Sequence, residues 1–421
     1  MQLPPAHTLY VCYFGLREPL VQTQVLPYLR ELIAGGVQVS LLTFEPKLRQ
    51  SWTSEHIVAE RNTLKSEGIS WHSLAYHQRP SLPATLYDVA VGSWSILRIM
   101  RRDNASILHA RNHIPALMSA IAKRVSGGQL VFDIRGFMPE EYTDAGVWPA
   151  EGYLYKGMKR VERHLMNASD AFVVLTEKAR EILFPGCSNT DQLGRPIEVI
   201  PCCVDFRRFD AVEHISRESL RRELNLAGRV VVVYVGSFGG WYMTDEMTEF
   251  LALAHKQDPA TFSMILTQSP RQMVTDRMSS LGIDKKDFLV TRVSPGDVPR
   301  YLKAADIAIS FIKPCYSKQS SSPTKMAEYL ASGLPIICNA GVGDLDKLIE
   351  ENRVGTLVRE FGAEAYRRAL NEIDILKREP GLAERLRSIA RQKFDLAGVG
   401  RTGYRRLYRR LMKNTEVSRE I

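Results

Sequence analysis

The run Thr8-Leu9-Tyr10-Val11-Cys12-Tyr13-Phe14, then a helical pattern over residues 22–34, the pair Gly35-Gly36 and a second apolar run at 37–44 together decide the fold. Short apolar runs rich in β-branched and aromatic residues predict strands, apolar residues recurring at helical spacing predict a helix, and paired glycines stop it. Strand, helix and strand in that order make a βαβ unit with parallel strands. Working outward, apolar strands at 106–109, 130–134 and 171–175 alternate with helical stretches at 114–124 and 153–166. The alternation restarts after Asp205-Phe206 and a charged helical stretch at 217–224, with strands at 230–235, 262–267, 288–292, 307–312 and 335–338. The pattern predicts an α/β protein of two Rossmann-like doubly wound domains, 1–204 and 205–399. In tandem they are expected to turn the carboxyl ends of their strands toward one central cleft, where open sheets bind ligands.

Length and composition agree. The 421 residues suit two domains, and 45% hydrophobic with 24% charged residues, 28 Gly and 21 Pro exclude collagen-like, low-complexity and largely disordered chains. Without a run of about 18 apolar residues no spanning helix is expected. The start Met-Gln-Leu-Pro-Pro lacks the regions of a signal peptide, which gives the expectation of a cytoplasmic protein. Six cysteines without CxxC spacing read as buried thiols, with no zinc site. Lys plus Arg exceed Asp plus Glu by 56 − 47 = 9, and residues 400–421 hold seven basic against two acidic residues.

The chemistry-bearing stretch is Ser317-Lys318-Gln319-Ser320-Ser321-Ser322-Pro323-Thr324-Lys325-Met326-Ala327-Glu328, running on to Gly333 and Pro335. It predicts a loop, a helix and a strand. Ser322 suits the N-cap, Pro323 the first helical position and Gly333 the C-terminal cap. Free N–H groups and the positive end of the helix dipole beside Lys318 and Lys325 then form an anion-binding device. Glu328, a turn and a half along, is placed to accept two ribose hydroxyls, with Lys325 on a phosphate. A well-capped helix with a solvated glutamate explains the same residues equally well.

With these residues in view, the chain resembles the retaining glycosyltransferases of glycosyltransferase family 4, of GT-B architecture. The resemblance rests on residues 13–24, Phe132-Asp133-Ile134-Arg135-Gly136-Phe137, Val173-Val174-Leu175-Thr176, Ile200-Pro201-Cys202-Cys203-Val204-Asp205, Tyr234-Val235-Gly236-Ser237 and the block 323–335. It implies that Glu328 binds the donor ribose. Eight positions earlier, where the family carries a sugar-holding glutamate, stands Ser320. The family's Arg/Lys pair after the first strand of the second domain is missing from Gly236-Ser237-Phe238-Gly239-Gly240-Trp241-Tyr242. The N–H groups from Ser237 to Gly240, with Lys318 or Lys325, are expected in its place, unless Gly239-Gly240 makes only a tight turn. The expected donor residues are thus Gly15, Gly236, Ser237, Lys318, Ser320, Ser321, Ser322, Lys325 and Glu328.

In the first domain, Leu108-His109-Ala110-Arg111 stands where the family often has His-x-His, so His109, Arg111, Asp133 and Arg135 are the expected catalytic residues, with Glu140 and Glu141 on the acceptor side. A lone strand-end histidine and an Asp–Arg pair also read as structural. Asp344-Leu345-Asp346 spells a DxD triplet, but the resemblance implies no metal and no cofactor beyond the donor. It further implies that the helix at 400–421 packs back on the first domain. The basic face of that helix, with Arg405, Arg406, Arg409, Arg410 and Lys413, either stays solvated or touches an anionic membrane at its inner face.

The expected function is sugar transfer, with retention, from a nucleoside diphosphate sugar (UDP ahead of GDP) to a glycan, lipid-linked or small hydroxyl acceptor, in polysaccharide, glycan or glycolipid synthesis. No nucleic-acid partner is expected. The rivals are an epimerase or hydrolase of the same architecture and a non-catalytic nucleotide-sugar binder.

Overall fold

In the computed structural model the described residues are 6–417, and the chain divides into two compact units. Unit 1 runs to Pro201 and resumes at Val399, and unit 2 is Cys202–Gly398. The boundary expected after Val204 therefore falls earlier. Val204 belongs to unit 2 because its N–H donates to Phe394 O at 2.9 Å and its carbonyl accepts from Leu396 N at 3.0 Å.

Unit 1 holds β1 (Ala6–Cys12), β2 (Val37–Pro46), β3 (Ile69–Tyr76), β4 (Ile107–Arg111), β5 (Gln129–Ile134), β6 (Ala171–Val174) and β7 (Ile197–Val199). They form one sheet in the order β3-β2-β1-β4-β5-β6-β7, with every pair parallel. Unit 2 holds β8 (Val230–Val235), β9 (Thr261–Leu266), β10 (Phe288–Thr291), β11 (Ile307–Ser310), β12 (Ile336–Asn339) and β13 (Gly355–Val358), in the order β10-β9-β8-β11-β12-β13. Each sheet reverses its winding beside its first strand, between β1 and β4 and between β8 and β11. At such switch points the loops leaving adjacent strands diverge and open a crevice.

Parallel strands are covered on both faces, and all five residues of β4 are buried accordingly. One apolar cluster fills unit 1, around Leu9, Val11, Leu108 and Phe132, and another fills unit 2, around Val233, Ile265, Ile309 and Ile337. The single helix expected at 22–34 is two, Pro19–Gln24 and Leu26–Ala34. Pro27 has no N–H to continue the ladder, so the helix restarts there. The segment between β3 and β4, where no element was expected, holds the 23-residue helix Ser81–Asp103. Cys12, Cys202, Cys203 and Cys338 are buried.

The carboxyl-terminal helix, Arg401–Val417, belongs to unit 1, and the last four residues of the expected 400–421 helix lie outside the described residues. Tyr404, Leu407, Tyr408 and Leu411 bury one side of it. Its other ties are polar: Tyr408 OH donates to Thr8 Oγ1 at 2.9 Å, Gln129 Nε2 donates to Leu411 O at 2.9 Å, and Arg406 forks onto buried Glu198. Leu407→Ala is expected to lower unfolding free energy by about 2–5 kcal/mol, the usual range for a core leucine. Lys413→Ala, on the exposed side, should change it by no more than about 0.5 kcal/mol. Urea unfolding of both variants measures the contrast.

Candidate functional site

At the unit 2 switch point the loops leaving β8 and β11 are laced together. Met243 N donates to Phe311 O at 3.2 Å, Lys313 N to Trp241 O at 2.8 Å, and Tyr242 bridges Ile312. These ties put Trp241 and Tyr242 against the lysines of the following segment. Lys318 Nζ lies 4.0 Å from the centroid of Trp241, and Lys325 Nζ lies 4.0 Å from that of Tyr242 and 4.4 Å from that of Tyr234. A cation over a ring face is attracted by the ring quadrupole, more strongly once water is removed. Lys325 also donates to Tyr234 OH at 3.1 Å, and Tyr234 OH donates to Ser237 O at 2.5 Å.

Lys325 and Glu328 stand on the helix Thr324–Ala331, whose Tyr329 locks it to the sheet: the hydroxyl accepts from Val235 N at 2.8 Å and donates to Ile309 O at 3.3 Å. Gly236, at φ +141°, brings the backbone so near that an added Cβ would meet Lys325 Nζ at 2.6 Å. Only glycine fits both that dihedral and that approach. The helix ends as the sequence indicates, with Gly333 at φ +73° and Leu334 N donating to Tyr329 O at 3.0 Å.

The alternative of a solvated glutamate is corrected: Glu328 is 8% exposed, and Lys325 on the same helix 7%. Burial draws the Lys325 ammonium down to about 7, against the opposing pull of Glu328. Burial likewise pushes the Glu328 carboxyl up, against Arg208 and Lys325. Arg208 Nη1 lies 3.5 Å from Glu328 Oε1, and Arg208 also donates to Pro295 O. Arg208 and Lys325 thus flank the Glu328 carboxylate, and Lys318 lies over Trp241 in the preceding 3₁₀ turn.

Several expected details differ. Ser322 does not cap the helix, which starts after Pro323 without a side-chain cap; its hydroxyl accepts from Cys202 N at 3.0 Å. Proline at the cap position displaces the serine by one residue. Ser320 donates its hydroxyl to Ser317 O at 2.7 Å, and Lys318 and Ser320 lie in the short 3₁₀ turn Tyr316–Ser320, followed by Ser321. Of the N–H groups expected to meet phosphate, that of Phe238 goes to Ser269 Oγ at 2.9 Å and that of Gly239 to Thr244 Oγ1 at 3.0 Å. In the DxD triplet, Asp346 Oδ1 accepts from Gly341 N at 3.0 Å, a turn-closing role.

In unit 1, His109, Asp133 and Arg135 meet in the interior. His109, 0% exposed, has Nδ1 2.9 Å from Tyr408 OH and Nε2 3.5 Å from Asp133 Oδ2. Tyr404 OH donates to Asp133 Oδ2 at 3.2 Å, and Arg135 Nη1 lies 3.4 Å from Asp133 Oδ1. Burial opposes ionisation of Asp133, but Arg135, His109 and Arg111 outweigh it and hold the carboxyl well below its usual range. Burial lowers the pKa of the His109 ring, against the opposing pull of Asp133. His109 and Asp133 join the sheet to the carboxyl-terminal helix and are closed off from solvent. Arg111 is buried beside them at the end of β4, with Nη1 lacking a hydrogen-bond partner. Gly15, in the loop after β1, is packed so tightly that a Cβ would sit 2.7 Å from Pro46 Cδ. Glu140 pairs with Lys159 at 3.0 Å, and its neighbour Glu141 lies against Gly136, where an added Cβ would meet Glu141 Oε1 at 3.1 Å.

Sequence reasoning missed Arg208, Tyr234, Trp241 and Tyr242. The adjacent aromatics after Gly239-Gly240 were the available signal, whereas nothing in the chain links Arg208 to a glutamate 120 positions on.

Two parallel doubly wound α/β units in one chain are the GT-B architecture of glycosyltransferases. The family model Glycosyltransferase Family 4 matches residues 21–208 and the model Glycosyl transferases group 1 matches 216–393, so each unit carries its own match. The chain belongs to glycosyltransferase family 4. Its fold is similar to that of sucrose-phosphate synthase from Thermosynechococcus elongatus, with TM-score 0.74 and 15% identity over 97% of this chain and 100% of that one. It is also similar to HepE of Anabaena, solved in complex with UDP-glucose, with TM-score 0.64 and 15% identity over 95% and 99% of the two chains. Spore coat protein SA of Bacillus subtilis is 24% identical over 168 residues, 38% of this chain and 43% of that protein. The match thus spans less than half the length of that relative.

The buried lysine gives a stability test. Its native pKa of about 7 lies below the unfolded value of about 10.4. Between those values the unfolded chain binds the extra proton, so Lys325 makes stability rise with pH, by at most about 1.4 kcal/mol per pH unit. Urea unfolding of the parent and of Lys325→Met at pH 7, 8 and 9 should show the parent gaining on the variant at each step. A constant difference would mean that Lys325 titrates as an ordinary lysine.

Proposed function

We propose that the protein transfers a sugar from a nucleoside diphosphate sugar to a hydroxyl acceptor, with retained anomeric configuration and without a metal ion. The donor is assigned to the unit 2 switch point. The observation that carries this reading is the buried Lys325 ammonium, held between Tyr234 and Tyr242 against the backbone of Gly236. In the reaction the bond from the sugar C1 to the diphosphate oxygen breaks, the acceptor oxygen bonds to C1, and the acceptor proton leaves with the diphosphate. Negative charge grows on the departing phosphate as that bond lengthens. A preorganised cation in a site with little water stabilises it far more than the same cation would in bulk solvent. The diphosphate in turn raises the pKa of the lysine, so donor binding above pH 7 takes up a proton. Glu328, braced by Arg208, is assigned to the ribose hydroxyls, and Lys318 over Trp241 to the outer phosphate charge.

Nucleotide release from a panel of UDP- and GDP-sugars, with and without hydroxyl acceptors, tests the activity and separates the two bases. Release that needs no acceptor would favour the hydrolase or epimerase, and binding without turnover would favour the binder. Glu328→Gln should weaken UDP or GDP by about 10- to 100-fold in calorimetric titration, the loss of one to two charge-assisted hydrogen bonds. Lys325→Met should lower kcat more than it raises donor KM, because its partner charge develops in the transition state. If Glu328→Gln remains folded and binds nucleotide like the parent, the ribose assignment is wrong.

Transfer should persist in excess EDTA, since lysines take the place of a divalent ion. Loss of activity restored by Mn²⁺ or Mg²⁺ would return Asp344 and Asp346 to consideration as ligands.

A further inference from the structure

Unit 1 distributes its surface charge unevenly. The helices Ser81–Asp103, His113–Ser126 and Tyr153–Ala168 lie side by side over one face of its sheet. The first meets the second where Gly92 packs on Met118, and the second meets the third where Arg124 lies 3.2 Å from His164. Their inner sides join the core around Val89, Ile96, Met118 and Leu165.

The outer sides are apolar and basic. Along the first helix Leu82, Leu86, Ala90, Trp94 and Arg98 recur every four residues and all are exposed. That stripe spans about 18 Å from Leu82 to Trp94 at ~1.5 Å per residue. Trp94 is 61% exposed, with the Arg98 guanidinium 5.6 Å from its ring centroid. Ile121 and Val125 extend the apolar surface on the second helix, and Tyr153, 96% exposed, with Leu154 on the third.

The three helices contain three carboxylates, and none faces outward. Asp88 accepts from Tyr13 OH at 2.7 Å, Asp103 pairs with His72 at 3.1 Å and Arg102 at 2.8 Å, and buried Glu162 is held by His113 at 3.1 Å and by Lys159. Glu151, just before the third helix, pairs with Lys156 at 3.1 Å. Arg101, Arg160 and Arg163 are exposed and pair with no carboxylate among the described residues. The carboxyl-terminal helix is the opposite case, with Arg406 and Arg410 on Glu198 and Arg401 on Glu31.

Single exposed apolar residues are ordinary. A run of aliphatic and aromatic side chains ringed by unpaired arginines, with every acid within the three helices turned inward, has the complementarity of an anionic bilayer surface. There the apolar residues enter the headgroup boundary, Trp and Tyr sit at its level, and each arginine is drawn by the negative surface potential. We propose that this three-helix face docks unit 1 peripherally on an anionic lipid surface. The proposal does not depend on the transferase reading.

The full chain is sedimented with phosphatidylcholine vesicles and with vesicles that also contain phosphatidylglycerol. The parent should bind only the anionic vesicles, and less at high salt. Leu86→Gln with Trp94→Gln should lower partitioning about tenfold or more, and Arg98→Gln with Arg101→Gln should lower it as well. Both pairs are exposed and should keep the parent melting temperature, while Arg409→Gln on the carboxyl-terminal helix should bind like the parent. Absence of parent binding, equal binding to both vesicle types, or unchanged binding by the Leu86/Trp94 pair would overturn the proposal. So would self-association of the parent in ultracentrifugation that Trp94→Gln abolishes while vesicles capture nothing, which would put a second copy on the face.

Discussion

A parallel strand has no face to leave in water, because its helical crossovers must return over the sheet and bury both sides. From that constraint follow the paired helical layers of each unit and the reversal of winding beside β1 and β8. It also explains why the chain, after completing unit 2, returns to unit 1: Arg401–Val417 covers sheet surface that would otherwise expose Thr8, His109 and Asp133. The chemistry-bearing loops gather at the carboxyl ends of the strands for the same topological reason.

The two buried polar groups answer different needs. Around Asp133 the carboxyl accepts from Tyr404 and pairs with Arg135, and Arg135, His109 and Arg111 hold it well below its usual range. Partners drawn from the carboxyl-terminal helix, Tyr404 and Tyr408, use this network to fix the position of that helix. Around Lys325 the compensation is incomplete: ring faces and a tyrosine hydroxyl replace a carboxylate, and the ammonium titrates near 7 rather than near its usual value. A cation left short of counter-charge by its own fold is suited to receive an anion.

Net charge was a poor guide to surface chemistry. The carboxyl-terminal segment carries much of the formal excess, yet Glu198 and Glu31 spend three of its arginines on packing. Helices of unit 1 that attract no notice by composition present the unpaired cations, because their few acids point inward.

The sequence alone determined the α/β class, the two parallel sheets, most strand positions and the loop–helix–strand block that holds Lys325 and Glu328. Periodicity and cap chemistry are local, so Val230–Val235 and the Gly333 terminus could be read from neighbouring residues. Tertiary structure alone decided that His109 is interior, that Ser322 serves Cys202, that Arg208 reaches Glu328, and that Tyr234 and Tyr242 enclose Lys325. These contacts join residues tens to hundreds of positions apart. Burial and its effect on charge arise only when distant segments exclude water together, and no local pattern encodes which segments those are.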